Sequence, residues 1–274
     1  MDELLRARAG LSLDTIDCSA TPGIAADKKR AARLLAEGAE HLSNLQERLF
    51  AASRAGDTRR VLLVLQAMDT AGKGGIVRHV VGAVDPQGVQ FAAFKKPTPD
   101  ELAHHFLWRI EQRLPAAGMI GVFDRSHYED VLIGRVRSLA PADEIERRYG
   151  EIVDFERRLV DDGVSIVKVM LHISRDEQKA RLHERLERPD KHWKYNPGDV
   201  EERMLWDDYQ QAYQLAIERT DADHAPWFVV PANHKWYARL AVQSLLITAL
   251  ERIDPQWPAA GFDVEHEKGR LAAT

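Results

Sequence analysis

The sequence predicts a three-layer α/β fold, a doubly wound and mostly parallel sheet with helices on both faces. Three observations predict it. Apolar runs at 61–65, 119–123, 164–172 and 227–230 read as buried strands. Helix-favouring stretches separate them, and strands alternating with helices build parallel sheets. The first run leads into a glycine-rich turn and a segment that can be helical, the strand–turn–helix layout of an anion site.

Residues 1–26 carry scattered Gly10, Pro22 and Gly23 with no clear period, and read as an extended arm. Residues 27–52 are rich in Ala, Leu, Glu, Lys and Arg and favour one long helix. Leu34, Leu35, His41, Leu42, Leu45 and Leu49 give it an apolar stripe. Gly56-Asp57-Thr58 ends it, so 1–57 is an N-terminal arm and helix ahead of a main domain at 58–254.

The central strand, Val61 to Leu65, runs into Gln66-Ala67-Met68-Asp69-Thr70-Ala71-Gly72-Lys73-Gly74-Gly75. Its spacing approaches the P-loop pattern G-x-x-x-x-G-K-[ST]. Ala67 stands where the first glycine belongs, and Gly74 replaces the hydroxyl residue that normally holds magnesium. Asp69 is the natural substitute, a hard oxygen ligand inside the loop. Ala71, Gly72, Gly74 and Gly75 let backbone amides converge on a phosphate, and Lys73 adds a full charge. The alternative is an ordinary glycine-rich turn.

Residues 76–84 can be helical, Asp85-Pro86-Gln87-Gly88 is a turn, and 89–94 is a second strand. Lys95 and Lys96 follow its carboxyl end, where parallel sheets bind ligands. A helix is expected over 100–113. The third strand, 119–123, ends in Asp124-Arg125-Ser126-His127-Tyr128-Glu129-Asp130. An acid at a buried strand tip is the usual magnesium-holding partner of a P-loop. The alternative for Asp124 is to cap a helix over 131–136.

A charged helix over 142–162 precedes the fourth strand, 164–172. Ser174 and Glu177 then carry a pattern like a capping box. The helix they open places Arg181, Arg185 and Arg188 on one face. The loop 190–198 is polar and aromatic, and 199–220 is helical again. This helix–loop–helix, about 174–204, reads as a lid over a phosphate site. The alternative is a solvated charged face. Residues 227–230 form the last strand, 236–253 a closing helix, and 255–274 a tail.

With 274 residues, the chain can form one large α/β domain or two small ones. Nowhere does it hold the roughly 18 consecutive apolar residues that cross a membrane, and its first ten residues lack a signal-peptide core. Cys18 is the single cysteine, which excludes an intrachain disulfide and a thiolate zinc cluster. A cytoplasmic protein is expected. The net charge of −5 argues against a bulk electrostatic grip on nucleic acid and confines any polyanion to a local groove.

The segments Asp69-Thr70-Ala71-Gly72-Lys73-Gly74-Gly75, Phe123 through Asp130, and Lys191-His192-Trp193-Lys194 together resemble the polyphosphate kinase 2 family. The similarity runs from about Asp27 to Ile253. It takes in Asp85-Pro86-Gln87-Gly88, Phe106-Leu107-Trp108-Arg109 and Ala225-Pro226-Trp227. The resemblance implies a thymidylate-kinase-like P-loop fold and phosphoryl transfer between inorganic polyphosphate and AMP, ADP or ATP. It implies Mg2+ as cofactor, with Mn2+ as a substitute and guanine nucleotides as further candidates. By position, Asp69 and Asp124 would hold the metal, Lys73 would bind the phosphates flanking transfer, and Arg125 would neutralise charge beside them. Arg185 matches the family's lid arginine, with Arg181, Arg188, Lys95 and Lys96 as further phosphate contacts. Length and lid look most like the class III branch, associated with phosphorylating both AMP and ADP. A homo-oligomer is expected, without nucleic acid or membrane as partner. An ATP-dependent nucleoside monophosphate kinase and a non-catalytic nucleotide- or polyphosphate-binding module are the rival readings.

Overall fold

In a computed structural model, which describes residues 1–25 and 27–274, the strands form a single five-stranded sheet. They are β1 (Arg60–Ala67), β2 (Val89–Ala93), β3 (Ile120–Asp124), β4 (Val164–His172) and β5 (Trp227–Pro231). Their order is β2-β3-β1-β4-β5, and every neighbouring pair is parallel. Val61 through Leu65 are wholly buried, as a strand covered on both faces requires. In register, Leu65 lies beside Asp124, so the expected acid closes the third strand at the mouth of β1.

The helices are α1 (Lys28–Arg54), α2 (Lys73–His79), α3 (Ala142–Asp161), α4 (Arg175–Glu187), α5 (Gly198–Met204), α6 (Trp206–Thr220), α7 (Lys235–Ile253) and α8 (Val264–Ala272). Asp27 caps α1 by accepting from the Arg30 amide at 2.7 Å. Leu42, Leu45 and Leu49 are buried, while His41 stays exposed and pairs with Glu251 at 2.9 Å. α1 packs along α7, and the approach is closest at Gly38: a Cβ there would lie 2.3 Å from Gln243 Oε1.

Several expected elements take another form. The arm opens as a short helix, Asp2–Leu5, and then packs on the sheet: the Ala7 amide donates to Trp227 O at 2.8 Å, and Leu5, Ala7 and Leu13 are buried. Its last residue, Ala26, lies outside the described residues. The helix expected over 100–113 is two single turns, Pro99–Leu102 and Trp108–Glu111. His104 Nδ1 donates to Asp100 O at 2.9 Å, taking the carbonyl that a continuing helix would use. The helix after the glycine turn begins earlier and ends earlier than 76–84, giving way to a 3-10 turn at Val81–Ala83. Residues 199–220 break at Leu205, whose backbone leaves the helical region at φ −96°, ψ 25°. The tail is not structureless: Asp263 caps α8, and Glu265–Lys268 and Glu267–Arg270 pairs lie along it.

Beneath the carboxyl ends of β3 and β4 lies a buried polar cluster. Lys168 Nζ donates to Glu156 Oε2 at 2.6 Å, to Tyr128 Oη at 3.0 Å and to Thr220 O at 2.9 Å. His127 Nε2 lies 3.2 Å from Glu156 Oε1. The cluster fastens the segment after Asp124 to β4, α3 and α6. No helix among the described residues is long and apolar enough to cross a membrane.

Candidate active site

The turn from β1 into α2 is shaped by two residues in the left-handed region, Thr70 at φ 67° and Gly72 at φ 123°. For Thr70 this conformation is strained, and such strain persists only where surrounding contacts impose it. The Gly72 carbonyl accepts from the Gly75 and Ile76 amides at 2.8 and 3.1 Å, which starts the helix at Lys73. The Lys73 side chain folds back along the loop, and Nζ donates to Ala67 O at 3.1 Å. With Gly74 in place of the hydroxyl residue, Asp69 is the loop's acid.

Across from the loop, the Arg125 amide donates to Leu65 O at 3.0 Å, prolonging the β3–β1 register by one residue. Arg125 then turns into the left-handed region at φ 64°, and its Nη2 donates to Asp69 Oδ1 at 3.0 Å. The helical turn that follows is capped by Ser126, which accepts from the Tyr128 amide at 3.2 Å. The helix near 131–136 forms only at Ile133–Val136, behind Leu132 and without a side-chain cap, so Asp124 does not cap it.

Under this pair sits Glu129. Burial pushes its carboxyl up, while Arg125 and Lys73 pull it the other way. The Gln66 amide, turned so that both its ends are satisfied, donates to Glu129 Oε1 at 3.0 Å and accepts from the Ser126 amide at 3.1 Å. Burial alone would lower the Arg125 guanidinium, but the Glu129 and Asp69 carboxylates outweigh it and hold the charge firmly.

One cavity of about 610 Å3 spans these strand tips. Asp69, Ala71, Gly72, Lys73, Gly74, Gly75, Lys95, Asp124, Arg125, Arg181, Arg185 and Arg188 all line it. Lys96 does not: it is exposed beyond β2 and outside the cavity wall. Arg181 and Arg185 of α4, and Arg188 just past its end, meet three different environments. Arg181 is buried, with all five donors on protein oxygens: Glu177 Oε1 and the carbonyls of Thr70, Ala71, Ala232 and Asn233. It braces the loop, and no N–H is left for a phosphate. Arg185 Nη1 bridges Lys194 O at 3.0 Å and Asp199 Oδ2 at 3.2 Å. Arg188 is engaged by Glu184 and Asp190 at the surface.

Sequence reasoning missed several lining cations. Lys191 and Lys194 belong to the lid motif, Arg78 lies in the last turn of α2, and Lys235 and Arg239 come from the start of α7. Arg239 is lowered by burial and by the nearby Arg78 charge. The i,i+4 spacing of Lys235 and Arg239 was the available signal. Asp199 was also missed. Its Oδ2 lies 3.2 Å from Arg185, which lines the cavity, and burial and the nearby Asp69 charge push its carboxyl up.

Among the described residues, no group of three or more His, Cys, Asp or Glu could by itself hold a metal. Two carboxylates at one mouth suit a hard, small cation that takes its other ligands from water and substrate phosphates. Two or more polyanions could be drawn into line there by the surrounding cations.

A family model for Polyphosphate kinase 2 matches residues 25–258. The chain is 46% identical over 245 residues to the AMP/ADP-polyphosphate phosphotransferase of Meiothermus ruber, spanning 89% of each protein. It is 42% identical over 237 residues to the ADP-polyphosphate phosphotransferase of Rhodopseudomonas palustris, covering 82% of this chain and 81% of the relative. The crystal structure of Polyphosphate Kinase 2 from Arthrobacter aurescens TC1 superposes with a TM-score of 0.97 at 58% identity, over 99% of this chain and 96% of that one. The loop with its internal acid, the strand-tip Asp124-Arg125 pair and the P-loop kinase sheet all agree with these likenesses, and the chain belongs to the polyphosphate kinase 2 family.

Proposed function

We propose that this chain transfers a phosphoryl group between inorganic polyphosphate and AMP or ADP, forming ADP or ATP, with Mg2+ as the metal. The observation that carries the reading is the single cavity that joins Asp69 and Asp124 to Lys73, Arg125, Arg185 and the outer lysines and arginines. The names of the relatives from Meiothermus ruber and Rhodopseudomonas palustris support the substrate pair.

The nucleophile is a phosphate oxygen that is already ionised near neutral pH, so no strong general base is needed. Positioning and charge neutralisation do most of the work. Asp69 and Asp124 would hold the metal, whose bound charge offsets that of the phosphates. Lys73 and Arg125 bind and orient the phosphates on either side of the transferred group. Arg185 supplies charge from the lid segment, about 174–204, and closure there would exclude water as a competing acceptor. Lys95, Arg188 and the loop residues Ala71, Gly72, Gly74 and Gly75 extend the phosphate contacts. Arg181 acts through the loop.

The test is a product assay. Purified protein with Mg2+ is given AMP, ADP, GMP or GDP, with either polyphosphate or ATP as donor. Formation of ADP or ATP from polyphosphate is the expected result. Product with ATP and AMP alone would favour a nucleoside monophosphate kinase, and binding without product a non-catalytic module. The exposed side chains of Trp257, Phe262 and Leu271 support self-association, which light scattering would check.

A further inference from the structure

Three consecutive carbonyls of the glycine loop are held by one helix. Gln178 Nε2 donates to Asp69 O at 3.2 Å, and Arg181 Nη1 donates to Thr70 O at 3.0 Å and Ala71 O at 2.8 Å. Both side chains are almost wholly buried, at 1% and 5% exposure. Each is itself fixed. Gln178 Oε1 accepts from Arg203 Nη1 at 2.9 Å, while the other donors of Arg181 are taken by Glu177, Ala232 and Asn233.

A trans peptide is planar, with its carbonyl and the next residue's N–H pointing in opposite directions. Turning the carbonyls of 69, 70 and 71 onto α4 therefore turns the amides of Thr70, Ala71 and Gly72 away from it. The Ala71 amide is used within the turn, on Met68 O at 3.3 Å. The same rotation keeps three carbonyl dipoles, which would repel an anion, off the phosphate side of the loop. Thr70 has the left-handed conformation that a threonine relaxes out of unless it is held.

We propose that Gln178 and Arg181 are positioning residues that clamp the phosphate loop in its anion-accepting form, with carbonyls on α4 and the Thr70 and Gly72 amides left for phosphate. The binding consequence rests on the reading of the cavity as a polyphosphate site; the clamp itself does not. Gln178 is uncharged, so its effect separates loop positioning from direct attraction of a polyanion.

The experiment compares the full chain with Gln178→Met, Arg181→Lys and Arg181→Met. Amide hydrogen exchange is followed over 66–74 and over β4, and inorganic tripolyphosphate binding is measured calorimetrically with Mg2+. The expected result is loop exchange about fivefold faster in Gln178→Met, which loses one loop hydrogen bond, and faster still in Arg181→Met, which loses two from a charged donor, with β4 unchanged. Tripolyphosphate binding should weaken in parallel, and Arg181→Lys should recover only part of either property. Wild-type loop exchange in Gln178→Met overturns the clamp. So does Arg181→Met losing tripolyphosphate with its loop exchange unchanged, which would make Arg181 a ligand. A wild-type chain that does not bind tripolyphosphate sinks the reading of the cavity, while the exchange measurement, which needs no ligand, still decides the clamp.

Discussion

Arg125 and Asp69 face each other across the strand tips, with Nη2 3.0 Å from Oδ1, each partly exposed to the cavity. The pair joins the proposed charge-neutralising arginine to one of the two proposed metal carboxylates. A metal bound to Asp69 competes for the same oxygen that the guanidinium now occupies. Arg125→Ala should therefore lower turnover by about 10²- to 10³-fold, the usual loss for one electrostatic stabiliser. The magnesium midpoint should stay level or fall, because Asp69 is released. Steady-state kinetics across a magnesium titration checks both, and a raised midpoint would count against the competition.

Asp69→Asn should act in the opposite sense on the metal. The amide keeps an oxygen but loses the charge a hard cation seeks. The magnesium concentration for half-maximal activity should rise at least about tenfold, consistent with the differential charge interaction of one carboxylate. An unchanged titration curve would remove Asp69 from the ligand set.

The lid arginines should differ sharply. Arg188, an outer phosphate contact shared with two carboxylates at the surface, should on substitution by Ala raise the polyphosphate KM while changing turnover by no more than about threefold. Arg185 reaches inward to Asp199 and the Lys194 carbonyl. Arg185→Ala should cost about 10²-fold, the scale of misplacing a reacting group. Equal effects at the two positions would show that the stripe acts only as diffuse charge.

The buried pair of Lys168 and Glu156 gives a stability prediction. Burial would raise the Glu156 carboxyl, but Lys168 and His127 outweigh it and hold it below the ordinary 4.5. For a depressed carboxyl the stabilisation is complete above the unfolded value and is lost as pH falls through the folded one. Stability should therefore fall below about pH 4.5 more steeply in the wild type than in Glu156→Gln. At pH 7 either Glu156→Gln or Lys168→Met should cost about 3–5 kcal/mol, since one buried partner is left uncompensated. The double variant should lose less than the sum. Urea unfolding across pH measures each.

Much of this was legible in the sequence where one local rule governed. β4 matches its apolar run at both ends, and Asp124 falls at the tip of the third strand as the pattern required. Ser174 does cap its helix, accepting from the Glu177 amide at 3.2 Å. The helical spacing holds for Arg181 and Arg185, while Arg188 falls one residue past the end of α4 in extended backbone. Spacing does not say what a face meets, however: one arginine is buried among carbonyls, one bridges to α5, and one lies at the surface. Lys235 and Arg239 reach the cavity only because β5 sits at one side of the sheet and returns the chain through α7. Their i,i+4 spacing marks a shared face, but which surface that face meets is set by topology, which no short window contains.

The arm at the chain's beginning has a final consequence. Arg6 pairs antiparallel with Phe228, and the Ala7 amide reaches Trp227, along the flank of β5 that β4 leaves free. At the opposite border, β2, no described residue bridges the strand edge in this way, and Phe91 there is half exposed. The sheet is thus sealed on one margin and open on the other. Trimming the first dozen residues would create a second unguarded margin, inviting strand-to-strand aggregation although the strand-tip groups of the cavity lie on other elements.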